Sequence, residues 1–167
     1  MPWLTARRNV ELALRLRGVP RAERRARALE LLDVVNLADA AEKRPHELSG
    51  GMRQRVALAR ALAQDRTVLL MDEPFAALDA ITRDLLHEEL ERVWRETGRT
   101  IVFVTHNVRE AARLGERIVL LSSRPGRVAG EWRLDASGPR RIESPEVSAV
   151  SIEITERLRK EIARNAA

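Results

Sequence analysis

Apolar positions recur along this chain at helical and strand spacings in turn. Thr5 stands where a helix cap is expected, and the segment after it reads as a helix to about Leu16, ended by Gly18-Val19-Pro20. The alternation of Val10, Leu12, Leu14 and Leu16 suits a strand as well, so this segment is ambiguous. Ala22, Ala26, Leu29 and Leu32 keep helical spacing and predict a firmer helix over 21–35. A polar stretch, 39–47, leads to Leu48-Ser49-Gly50-Gly51, after which Met52, Val56, Ala59 and Leu62 predict another helix. The apolar run 67–71 ends in Asp72-Glu73-Pro74 and reads as a buried strand. Ile81, Leu85, Leu86, Leu90, Val93 and Trp94 mark a long amphipathic helix closed by Gly98.

A second buried strand is predicted over 100–105, then a short helix over 109–114 and a third strand over 117–122. Arg124-Pro125-Gly126-Arg127 is a turn before a fourth strand, 128–134. Residues 135–146, with Gly138-Pro139 and Ser144-Pro145, read as loop, and Val147, Val150, Ile154, Leu158 and Ile162 give a last amphipathic helix. Strands alternating with helices predict an α/β fold with a parallel, helix-covered sheet. There is no internal repeat or low-complexity tract.

Composition narrows the chemistry. In 167 residues there is no Cys, which excludes disulfide scaffolds, Cys-ligated metals and Cys nucleophiles. Residues 1–30 hold eight Arg and three Glu, and that balance of +5 is the whole of the chain's net charge. Such a stretch suits nucleic acid, an anionic membrane surface or an acidic partner, or is a solvated helical face. With no Tyr and five Phe and Trp together, a base-stacking platform is a poor fit. No apolar run approaches the roughly 20 residues that span a bilayer, and the first nine residues lack an apolar signal-peptide core. The expected location is the cytoplasm, with docking on a membrane partner allowed.

Three places carry candidate chemistry. Asp72 and Glu73 follow a strand, at the end of a parallel sheet where ligands bind. An Asp there holds Mg²⁺ in nucleotide hydrolases, and a Glu beside it polarises the attacking water. The alternative is a helix cap or a surface turn. Ser49-Gly50-Gly51 at a helix start exposes backbone N–H groups at the positive end of the dipole, a place for phosphate. The alternative is an ordinary Ser cap. Ser49 lacks the Gly-x that a nucleophile elbow needs on its N-terminal side. His106 follows a strand and suits contact with a terminal phosphate or with water. A structural His is the plain alternative, and His46 and His87 read as structural.

In their order and spacing these residues resemble the nucleotide-binding subunits of ABC transporters. Leu48 to Arg55 is similar to the family signature, 68–72 to Walker B, 76–79 to the D-loop and Thr105-His106 to the switch-histidine loop. Glu73-Pro74-Phe75 resembles importers rather than exporters. Pro2-Trp3-Leu4-Thr5, Asn9-Val10 and Arg124-Pro125-Gly126-Arg127 resemble the nitrate/sulfonate/taurine importer group. The resemblance implies a partial P-loop NTPase domain using ATP and Mg²⁺. Asp72 would hold Mg²⁺, through water, Glu73 would be the general base and His106 would contact the γ-phosphate. Ser49, Gly50 and Gly51, with Met52 and Gln54, would meet the nucleotide of a second subunit, and Asp79 would serve communication between sites. Met52, Ala76 and Asn107 depart from the commoner Gln, Ser and Asp of the family, the last losing a charge beside His106.

The family's phosphate-binding loop, G-x-x-x-x-G-K-[ST], does not occur: neither Lys43 nor Lys160 has the required glycine before it. The Gln loop is absent too, and the resemblance implies that Met1 corresponds to an internal position of a longer protein. Three segments are expected: 1–64 as the helical signature subdomain, 65–134 as the C-terminal part of the ATPase core, and 135–167 as a terminal loop and helix. The strands at 68–71 and 101–104 would then expose apolar surface, with poor solubility or partner dependence and weak ATP binding by the isolated chain. The expected function is an ATP-binding and ATP-hydrolysing importer subunit, peripheral on the inner face of the membrane. Its implied partners are permease subunits, a second ATP-binding subunit and, indirectly, a solute-binding protein, with no nucleic acid. The alternatives are an inactive fragment with an interaction role and a basic nucleic-acid-binding module.

Overall fold

The computed structural model describes residues 1–76, 78–135 and 140–166, with side chains to residue 164. Ala77 of the D-loop segment, Gly138-Pro139 of the 135–146 loop and Ala167 lie outside the described residues. The chain forms two compact units, Met1–Val102 and Phe103–Ala167.

The first unit is built on three helices, α1 (Ala6–Leu16), α2 (Arg21–Val34) and α3 (Gly50–Ala63), each packed on the other two. The ambiguous segment is a helix. Thr5 caps it by accepting the Arg8 amide, and Val10, Ala13 and Leu14 go inside while Leu16 is left exposed. Helical spacing puts 6, 10, 13 and 14 on one face, and burial of that face decides the case over the alternation. Ala28, Leu32, Val56, Ala59 and Leu62 complete this core, joined by Leu69 and Val93. The Asn9 side chain, almost fully buried, donates to the carbonyls of Met1, Leu4 and Thr5 and ties the entry segment to α1.

β1 (Val68–Asp72) leads through α4 (Ala80–Thr97) to β2 (Thr100–Val104), and the two strands pair. Thr100 donates to the Thr67 carbonyl at 2.9 Å, so both strands start at the same end and the pair is parallel. Gly98 stops α4 with φ +60°, a left-handed cap that glycine takes without a Cβ penalty. Asn36, just past α2, donates to Glu89 Oε2 (2.7 Å). Arg92 reaches Glu89 Oε1 (2.6 Å) and the Val34 carbonyl, pinning α4 to the end of α2.

The two strands are less buried than their apolar runs predict. Leu69 faces the helical core, but Leu70 is 78% exposed, and Val68 and Val102 are also open. A strand is buried on both faces only when both are covered. Among the described pairings β1 and β2 have only each other.

In the second unit α5 (Val108–Leu114) precedes β3 (Arg117–Leu121) and β4 (Val128–Arg133), an antiparallel hairpin with an irregularity at Leu120/Leu121. Among the described pairings the third strand has β4 as its neighbour. α6 (Pro145–Ala166) packs on α5 and β4 around Ala112, Ile118, Val147 and Ile154. Trp132 donates Nε1–H to Glu153 (2.9 Å). No helix among the described residues is long and apolar enough to cross a membrane.

Candidate functional site

Ser49 has extended backbone, and its hydroxyl accepts the Met52 amide at 3.2 Å. It is therefore a helix cap, the bland reading of the sequence, but it leaves the next N–H groups of α3 at the positive end of the helix dipole. Arg53 donates to the Leu48 carbonyl (2.6 Å), which fixes the approach of the chain to the cap. Gly51 is buried, and a Cβ there would lie 2.5 Å from Thr82 Cγ2, on the first turn of α4. A Cβ at Gly50 would lie 3.5 Å from Leu78. Gly51 thus lets the start of α3 pack against the start of α4, while a side chain at Gly50 would meet Leu78 at ordinary contact distance. Met52 and Gln54 are half-buried on α3.

Asp79 caps α4. Its two carboxylate oxygens accept the Thr82 amide (2.9 Å) and the Thr82 hydroxyl (2.7 Å). Those bonds, the amide first, hold its carboxyl below the ordinary aspartate range. One residue, Thr82, therefore packs on Gly51 and holds Asp79, and periodicity alone gave no signal for it.

Asp72 ends β1, and both it and Glu73 are exposed. Glu73 has φ +44°, a left-handed backbone that costs a side-chain-bearing residue energy and clusters at functional sites. Asp72 offers hard, exposed oxygens of the kind Mg²⁺ takes, and a nucleotide-borne Mg²⁺ needs only one or two protein carboxylates.

In the second unit His106 is exposed in the loop before α5. Its neighbours are firmly held. Thr105 donates its hydroxyl to Glu110 Oε2 (2.7 Å) and accepts the Asn107 amide (3.0 Å). Asn107 Oδ1 in turn accepts the amides of Arg109 (3.0 Å) and Glu110 (3.4 Å). Asn107 does its capping without a charge, and the buried Glu110 is a second support that the sequence pattern did not single out. His46 is exposed, while His87 is fully buried with its ring edge-on to Phe75 at 5.1 Å.

The α/β arrangement, helices packed beside a parallel strand pair, is of the class of the ATP-binding cassettes. Residues 1–76 match the family described as "ABC transporter". The chain belongs to the ABC transporter ATP-binding subunits. It is similar to the taurine import ATP-binding protein TauB of Roseobacter denitrificans, 49% identical over 132 residues, covering 79% of this chain and 49% of that protein. TauB of Mesorhizobium japonicum is 57% identical over 127 residues, 76% of this chain and 49% of its own. Among solved structures, a dimeric ATP-binding cassette in a post-hydrolysis state with ADP and Pi is 42% identical with a TM-score of 0.67, over 81% of this chain and 59% of that one. The chain spans about half the length of the curated relatives it matches.

Proposed function

We propose that this chain supplies the signature, Walker B and switch-histidine parts of an ATP-hydrolysing subunit of an ABC-type importer, with the phosphate loop, which the 167 residues do not contain, supplied from outside them. The observation that carries this reading is the contact of Gly50 and Gly51 with Leu78 and Thr82. It joins the anion-attracting start of α3 to the turn that follows Asp72-Glu73.

Ser49, Gly50 and Gly51 face the γ-phosphate of a nucleotide held by a second ATP-binding subunit, with Met52 and Gln54 shaping the helix behind them. Asp72 would hold Mg²⁺, through water, and the cation would supply neutralisation of phosphate charge. Glu73 takes the proton of the attacking water on its carboxylate. His106 hydrogen-bonds the γ-phosphate. Asp79, fixed by Thr82, passes the state of one site to the other. Hydrolysis drives solute uptake through permease subunits that hold the protein at the inner face of the membrane and receive solute from a binding protein. The similarity to taurine import ATP-binding proteins and the dimeric state of the solved cassette support these assignments.

Glu73→Gln tests the base. In a version of the chain extended by a phosphate-loop segment, this variant retains ATP in a filter-binding assay but loses turnover by about 10²–10⁴-fold, the usual range for a removed general base. Near-normal turnover would refute the assignment.

A further inference from the structure

The arginines of residues 1–30 divide into two sets. Arg7 is engaged by Glu42 (2.6 Å) and by Glu11, Arg17 by Asp65 (2.9 Å) and Arg27 by Glu23 (2.7 Å). Arg8, Arg15, Arg21, Arg24 and Arg25 form no ion pair among the described residues, and these five line one groove of about 380 Å³ between α1 and α2. Arg24 uses Nε on the Val19 carbonyl (2.7 Å) and leaves the rest of its fork toward the groove. The one carboxylate in the lining is Glu11, which Arg7 already engages. Leu12 contributes an apolar patch to the lining.

The start of α2 adds to the imbalance. Pro20 precedes it and offers no side-chain cap. Arg21, Arg24 and Arg25 then occupy its first turn and a half, at the end where the helix dipole is already positive and where cations are unfavourable. Three of the five thus sit against the dipole of α2; the nearby carboxylates, Glu23 in its first turn and Glu42, which also feels Arg8 and Arg25, are already bonded to Arg27 and Arg7, and the surplus of Arg in one groove points to an external anion.

We propose that this groove is a binding site for a multiply charged phosphate anion, separate from the ATP chemistry of the signature and Walker B residues. Guanidinium forks accept phosphate oxygens two at a time, and Arg is preferred over Lys where planar, paired contacts matter. All five cations here are Arg. The groove is open to solvent and, at about 380 Å³, has room for a small polyphosphate or a phospholipid headgroup. It has no aromatic side chain in its lining on which a base would stack.

Calorimetry of the full 167-residue chain with inorganic tripolyphosphate at low salt tests the site, together with pelleting on phosphatidylglycerol vesicles against phosphatidylcholine vesicles. Saturable tripolyphosphate binding, weakened at least tenfold in Arg21→Gln/Arg25→Gln and unchanged in Arg159→Gln/Lys160→Gln, supports a free phosphate ligand. Vesicle binding that needs phosphatidylglycerol, is lost in the same double variant and is competed by tripolyphosphate supports the same site with a headgroup as its source. Arg8→Gln/Arg15→Gln, on the α1 wall, should give the same loss, so the result does not depend on one variant folding. Absence of binding in both arms, equal binding by wild type and both groove variants, or tighter binding of polyglutamate or duplex DNA than of tripolyphosphate overturns the proposal.

Discussion

A methyl group at position 51 would stand 2.5 Å from Thr82 Cγ2, closer than side-chain carbons approach one another. Thr82 is β-branched and also bonded through its hydroxyl to Asp79 at 2.7 Å, so it cannot swing aside without loosening the α4 cap. Gly51→Ala therefore costs about 1–3 kcal/mol, the usual range for overpacking, read as a lower midpoint in urea unfolding. Gly51→Ala/Thr82→Ser removes the offending methyl but keeps the hydroxyl, and it should recover a good part of that loss. No recovery would mean that the glycine serves something other than this contact. The Ser-Gly-Gly sequence was legible as a helix start because caps and glycines act through the local backbone. The reason for the second glycine was not, because its neighbour lies some thirty residues on. Glu73 was legible by its place after an apolar run, whereas its left-handed backbone is a property of the turn and leaves no mark on residue type.

Among the elements, sequence reading fared best where one local rule decided the case. Thr5 and Ser49 each cap a helix and Gly98 ends one, as their local sequence signals, while the capping role of Asp79 was not read from the sequence. For β1 the apolar run alone reads as buried, and the exposure on its Leu70 side is what the resemblance led one to expect of a strand without its family neighbour. The Glu89–Arg92–Asn36 cluster that ties α4 to the end of α2 was not legible, since two residues of one helix and one of a distant turn have no common period. The cap of α4 makes a pH prediction. Asp79 has a depressed carboxyl pKa, caused first by the Thr82 amide and then by its hydroxyl. Its contribution is present in full above the ordinary aspartate value of about 3.9 and is lost as the pH falls through the lower folded-state value. Asp79→Asn keeps a capping oxygen but does not titrate. In thermal melts the wild type should exceed this variant at pH 6, with the gap closing as the pH falls below about 4. A gap that does not change with pH would contradict the cap as the source of the depressed pKa.

At the scale of the whole molecule, two features follow from the same 167 residues. The net charge of +5 is concentrated in the first helical pair, where the Arg-lined groove lies. Apolar surface is left open on the first unit at Val68, Leu70, Ile81, Leu85 and Val102. Such patches mark places meant to be covered, in keeping with a chain that spans about half the length of its curated relatives. The assembly proposed for it sets a signature against a nucleotide held by another subunit, and that arrangement can be assayed directly. ATPase activity is measured while this chain is titrated into a phosphate-loop-bearing taurine-type cassette whose own signature serine has been replaced. Activity should rise with added chain to a plateau and should fail to rise when the added chain carries Ser49→Arg. A flat titration with the wild-type chain, or equal stimulation by Ser49→Arg, would contradict the account.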